Sequence, residues 1–445
     1  MRMLPILLPQ LKTDLYNRTK LKHFPSPHVL PHVQNLLSKI GSGFLSATLP
    51  GDASTTTPLA NGLSFSPRGS RPPCAIRRNV DQSQMSSQLD ILCLEPFYGG
   101  GRRDMLETVI RLSRHRWTLL KLPPRRIERR LSAAAHWFAE QLSRHWVGRV
   151  DVLFASEALN LADFYRLMPQ LLKKPAVVYF HSNQLPELRN SKPNPLDLVN
   201  LNTAAAAHET WFNSIFHLQD FLQKASSLVL RHSELAAHNP IPALADKTQL
   251  MFPPVDFTLV HECGKENHKR RRRSLFVDTR DADVKLLNSA LNILKRRGEK
   301  FELITVGPVE ELSPDFPRTT LPENDEIGAI RAMYNCNVYV STKLNCPCDH
   351  RAIRAFATGC WAAVPETGVY AELLPESIHG ATLYDNTAEG LAGRLQDTWG
   401  FERPDGYQEE LDGILHRYDP MAACRNFDER LEQLAGAHAI ANEAR

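Results

Sequence analysis

Residues 90–103 read DILCLEPFYGGGRR. The apolar run 91–94 reads as a short buried strand and Gly99-Gly100-Gly101 as a tight loop. Met105, Leu106, Val109, Ile110 and Leu112 then fall on one face of a helix. A strand that passes through glycines into an amphipathic helix opens a βαβ unit, and the same alternation continues downstream. Further strands are predicted over 150–155, 177–180 and 210–212. The helices between them are predicted over 131–146, over 161–172 behind Asn160 as N-cap, and over 196–208. A second series follows: strands over 275–277, 301–306, 338–341, 362–364 and 382–384, with helices over 285–294 and up to about 358. The expected fold class is therefore α/β, with two Rossmann-like domains facing each other across a cleft. Residues 89–259 form the first, 260–274 a basic linker, and 275–445 the second domain with its C-terminal helices. Ligands belong at the carboxyl ends of the strands.

Composition fits that picture. The 445 residues carry a formal net charge of +4, with 42% hydrophobic and 23% charged residues, as in an ordinary soluble globular protein. The longest apolar runs suit buried strands and fall far short of the ~20 residues of a membrane span. Eight cysteines without the spacing of a disulfide framework point to a reducing, cytoplasmic setting. The basic surplus is local: residues 1–88 carry ten Lys and Arg against three Asp and Glu, the remainder 43 against 46. Within that stretch, 49–71 is dominated by Ser, Thr, Pro and Gly, too poor in apolar area to offset ordering. Residues 1–88 are expected to be disordered, or an upstream extension of a protein whose translation starts at Met85.

Four constellations could carry chemistry. Gly99, Gly100 and Gly101 let backbone amides approach a ligand, and Arg102 and Arg103 at the following helix N-terminus would favour an anion; solvated arginines on a glycine turn are the alternative. His181, Ser182 and Asn183 directly follow an apolar strand, where an α/β fold places ligand contacts. His181 could carry a proton or donate to a substrate hydroxyl, while Ser182 and Asn183 could equally serve as turn or capping residues. Arg280 and Lys285 enter a helix from a strand end and could neutralise a diphosphate, or simply be solvated. Cys346, Cys348, Asp349 and His350 offer soft ligands, but no second Cys/His pair accompanies them and no metal site is expected. The run 269–273 (KRRRR) suits a solvated linker or, alternatively, contacts to RNA phosphates.

Taken together, several segments resemble one family, the queuosine-tRNA mannosyltransferases and their bacterial relatives of the GT-B fold, related to glycosyltransferase family 4. They are EPFYGG (95–100), the Leu-Pro, basic and Ala-rich stretch 122–141, DVLFASEALNL (151–161), VYFHSNQL (178–185), WFNSIFHLQDFL (211–222), FPPVD (252–256) and VYAELLP (369–375). The resemblance implies transfer of a sugar with retention, mannose from GDP-mannose being expected, onto the cyclopentene hydroxyl of queuosine in tRNA. The sugar nucleotide is the substrate and no further cofactor or metal is implied. It also implies that Arg280 and Lys285 hold the donor diphosphate and that His181 lies near the transferred sugar, with Ser182, Asn183 and Asp349 as candidate sugar contacts. Ser182 replaces the family's glutamate in the FHENQL segment, and Arg102 replaces the histidine after the Gly-Gly loop. Counting from Ser341 puts Cys346 and Arg354 at the two positions where the family carries donor-gripping glutamates; Asp349 is a candidate substitute carboxylate. Those replacements keep open a catalytically altered paralogue that binds nucleotide or RNA, and a transferase with another acceptor.

Overall fold

The computed structural model describes residues 88–186, 194, 196–400 and 403–443, so the expectations for 1–87 lie outside the described residues. The first sheet contains β1 (Asp90–Glu95), β2 (Arg116–Lys121), β3 (Val152–Ser156), β4 (Ala176–Phe180), β5 (Glu209–Phe212) and β6 (Thr248–Leu250), in the order β2-β1-β3-β4-β5-β6. The second contains β7 (Ser274–Asp278), β8 (Glu302–Val306), β9 (Arg318–Leu321), β10 (Val338–Val340), β11 (Trp361–Pro365) and β12 (Leu383–Tyr384), in the order β12-β11-β10-β7-β8-β9. Every pairing is parallel. The two-domain α/β architecture is thus as the sequence predicts.

Parallel sheets need both faces covered, which explains the near-continuous apolar strands. On one face of the first sheet, Phe138, Phe164, Phe180 and Phe221 form the core; on the other, Met105, Val109, Phe154 and Trp211 do. That second face also receives Cys424, Phe427, Leu431 and Leu434 from the last helix, Pro420–Glu443. Assigning the chain terminus wholly to the second domain therefore needs correction: the last helix returns to the first. The two strands of chain that cross between domains lie side by side, Val255 N donating to Tyr418 O at 2.9 Å.

The basic linker also differs from expectation. Arg270 donates to the carbonyls of Cys336, Thr358 and Gly359 at 2.8 Å each, Arg271 pairs with Glu302 and Arg273 with Glu299. Three of the four arginines in the run are consumed in anchoring the start of the second domain, because they lie against exposed carbonyl ends and acidic neighbours invisible in the local sequence.

Candidate functional site

The switch point of the first sheet lies where β1 has β2 on one side and β3 on the other, and polar side chains gather at its carboxyl edge. Glu95 ends β1, Glu157 follows β3 and His181 follows β4; both carboxylates are buried. Arg102 reaches in from the first turn of the helix Gly100–Leu112. It donates to both oxygens of Glu157, to Oε2 at 3.1 Å, and to Ser182 Oγ at 3.1 Å, with Glu95 3.9 Å away. Glu157 further accepts from the backbone N–H of His181 and Ser182, each at 3.2 Å, and from Ser182 Oγ at 3.1 Å. Arg102 is thus the counter-ion of a buried carboxylate, and the expectation that it serves as a free anion-binding cation is corrected: burial of Glu157 claims its charge.

Two glycines of the loop have distinct reasons to be glycine. Gly100 adopts φ +53°, a left-handed conformation costly for a side chain. Gly101 faces the imidazole of His350 from the second domain, whose Cδ2 and Nε2 would lie 3.1 Å from any Cβ placed there. The loop therefore serves a close approach of the two domains.

His181 Nε2 and Glu95 Oε2 point at one another across 3.8 Å, and neither finds a hydrogen-bond partner among the described residues. Burial, joined by the cations and imidazoles around it, holds the His181 pKa well below the usual range, so the ring is neutral. Burial pushes Glu95 up to about 7, opposed by Arg102 and assisted by Glu157. His217 and His350 are likewise kept neutral by burial, near 3 and 4.

The facing edge of the second sheet gathers cations around the buried Asp278. Arg280 follows β7 and is held by Asp278 through Nε at 2.9 Å and Nη2 at 2.7 Å; its side chain remains 36% exposed. Lys343 lies 3.7 Å from Asp278 and 3.8 Å from Asp349; Arg351 is buried, donates to both oxygens of Glu326 at 2.8 Å and lies 3.5 Å from Asp278. Lys285 is exposed in the first turn of the helix Val284–Arg296. Lys343 and Arg351 were not foreseen as parts of this group; the one available signal was that Lys343 follows the strand-end pair Ser341-Thr342.

The three candidate sugar contacts are largely committed elsewhere. Asp349 caps the helix His350–Ala357 through the N–H groups of Arg351 and Ala352, and accepts from Tyr339 and Tyr370 hydroxyls at 3.0 Å each. Its carboxylate is buried and saturated, which corrects its assignment as a substitute donor-gripping group. Ser182 Oγ is enclosed by Arg102, Glu157 and Gln184. Asn183 donates to Asp220 at 2.8 Å. The Cys346 thiol donates to Cys348 O at 3.3 Å, and Arg354 lies 3.6 Å from Glu326. Among the described residues no group of His, Cys, Asp and Glu is placed to hold a metal ion, and no helix is long and apolar enough to cross a membrane.

Arg354 and Glu326 line a cavity of about 360 Å³ whose opposite wall is Arg103, Asp104, Glu107 and Arg111 of the first domain. The domains are also tied by Glu372, whose carboxylate accepts from the N–H groups of Ile215 and Phe216 at 2.9 and 2.5 Å, capping the helix Ile215–Arg231 from across the interface. Burial pushes Glu372 up to about 7. A carboxyl raised in the native state binds more protons there than in the unfolded chain between pH ~4.5 and ~7, so its contribution to stability falls as pH rises through that window. Glu372→Gln is expected to flatten that fall in urea-unfolding midpoints measured from pH 5 to 7.5. An unchanged slope would exclude Glu372 as its source.

Two parallel six-stranded α/β sheets in one chain, brought together at their carboxyl edges, give the GT-B class of glycosyltransferase fold. Within that class, residues 90–255 match the family model for the tRNA-queuosine alpha-mannosyltransferase N-terminal region. The chain is 26% identical over 338 residues to the tRNA-queuosine alpha-mannosyltransferase of Drosophila melanogaster, covering 68% of this chain and 85% of that protein. The resemblance read from the sequence therefore stands. Solved structures with the same fold include a glycosyltransferase from Rickettsia africae, with TM-score 0.52, 14% identity, and 78% of this chain and 99% of that one covered. Sucrose-phosphate synthase from Thermosynechococcus elongatus matches with TM-score 0.54, 14% identity, and coverage of 78% and 100%.

Proposed function

We propose that this protein transfers mannose from GDP-mannose, with retention of configuration, onto the cyclopentene hydroxyl of queuosine in tRNA. The observation that carries this reading is the family match over 90–255, the whole of the sheet that would face the acceptor. In the reaction the bond from the anomeric carbon to the diphosphate oxygen breaks, a bond to the acceptor oxygen forms, and the acceptor's proton passes to the departing diphosphate. Negative charge develops on that leaving group, and Arg280 and Lys285, with Lys343 behind them, supply the cations that stabilise it. His181, neutral across the physiological range, serves as a hydrogen-bond partner beside the sugar rather than as a charged acid. In the cavity at the domain boundary, Glu326 is held by Arg351 through both oxygens at 2.8 Å, and as its side chain is still 39% exposed, its outward lone pairs are the acceptors left for nucleotide hydroxyls.

A second reading, an altered paralogue that binds nucleotide or RNA without transfer, is favoured by Cys346 and Arg354 at the two glutamate positions and by the saturated Asp349. Incubation with queuosine-containing tRNA and GDP-mannose separates them. Transfer is expected to add one hexose to the nucleoside, read by mass spectrometry after digestion; binding of donor without any hexose added would support the second reading.

A further inference from the structure

Between β2 and the helix Ile127–Arg144 the chain reads KLPPRRIERR, residues 121–130. It holds five cations, Lys121, Arg125, Arg126, Arg129 and Arg130, against one carboxylate, Glu128. Lys121, Arg125, Arg126 and Arg129 are exposed. None of the five is in an ion pair with a carboxylate of the described residues; the polar contact of Arg130 is to the carbonyl of Pro123 at 2.8 Å, and Lys121 sits 4.0 Å over the Tyr98 ring. This contrasts with the run 269–273, whose arginines are mostly spent on carbonyls and glutamates.

The position of the patch matters as much as its charge. β2 is the edge strand beside β1, and Lys121 is in register with Glu95, so the patch starts at the carboxyl edge that carries the candidate site. Leu122 N donates to Glu95 O at 3.0 Å, Tyr98 N to Leu122 O at 2.9 Å, and Pro124 lies directly against Gly99. The cations are therefore fixed to the rim of the cleft. Farther along the helix, seven residues from Arg130 and eight from Arg129, Trp137 exposes 36% of its surface, a platform on which a base can stack.

We infer that the surface formed by Lys121, Arg125, Arg126, Arg129 and Trp137 grips the phosphate backbone of the acceptor RNA and presents it to the cleft. This rests on the proposed acceptor being a tRNA. Unpaired exposed cations on one rim fit a polyanion, whose release of counterions makes binding salt-dependent. An acidic protein partner would share the charge but would not depend on Trp137 stacking.

The test is fluorescence anisotropy of labelled tRNA with the full chain at several salt concentrations. The triple variant Arg125→Glu, Arg126→Glu, Arg129→Glu is expected to bind at least about tenfold more weakly at low salt, with the log–log salt slope shallower by about 2–3. Trp137→Ala should weaken binding without changing the slope. Thermal unfolding and GDP-mannose binding should stay as in the native protein, which excludes misfolding as the cause. Arg272→Glu, an exposed charge reversal elsewhere, is the control. Native-like tRNA binding by the triple variant, or an equal loss in the control, overturns the assignment. Native tRNA binding lost in the triple variant, but without sugar transfer by the native protein, supports this surface while defeating the transferase reading.

Discussion

Replacing Arg102 by methionine is expected to cost about 3–5 kcal/mol of folding stability, because it strips the counter-charge from a carboxylate with no access to water. Glu157 is fully buried and Glu95 nearly so. The Arg102 guanidinium serves both oxygens of Glu157 and leans toward Glu95. Backbone N–H groups and Ser182 would remain as donors to Glu157, but two neighbouring carboxyl groups would face each other without a cation. Arg102→Lys should recover only part of the loss, since an ammonium cannot reproduce a planar two-point fork. The double variant Arg102→Met, Glu157→Gln should recover more, because the uncompensated charge leaves with its partner. Urea unfolding at pH 7 measures all three; a loss below about 1 kcal/mol in Arg102→Met would show that the pair contributes no more than a surface ion pair does.

That cluster also marks how far the sequence is legible. The central strands are easy to read, since a parallel strand buried on both faces is an unbroken apolar run such as 177–180. The strands not foreseen, β2, β6 and β9, all lie at the outer parts of their sheets, where one side lacks a neighbour and polar residues such as Arg116, Gln249 and Thr320 are tolerated. At the site, His181 stands out because a polar residue ends an apolar run, and Glu95 and Glu157 carry the same signal. Their significance depends on Arg102, 55 residues from Glu157 in the chain, turning inward rather than out to solvent. Likewise, nothing adjacent to Asp349 reveals that Tyr339 and Tyr370 close over its carboxylate. Long-range pairing, not residue type, decides whether a charged side chain offers itself to a ligand or is consumed by the fold.

The same principle governs the second large effect, on donor binding. Charge reversal of Arg280 and Lys285 together is expected to weaken the binding of GDP-mannose and of GDP by at least about 100-fold, roughly 3 kcal/mol. Asp278 holds Arg280 through two nitrogens, so an entering diphosphate competes with that carboxylate. The competition is winnable because Arg280 is still partly exposed, while Lys343 and Arg351 also face Asp278 and can keep it paired when Arg280 swings toward phosphate. Arg280→Glu alone would set two carboxylates against each other at the end of β7 and should account for most of the loss. Lys285→Ala, removing an exposed point charge, should cost far less. Calorimetric titration with GDP distinguishes the cases without requiring turnover. If the doubly reversed protein bound GDP with native affinity, Arg280 would be left as the structural partner of Asp278, and neither it nor Lys285 would belong to the donor site.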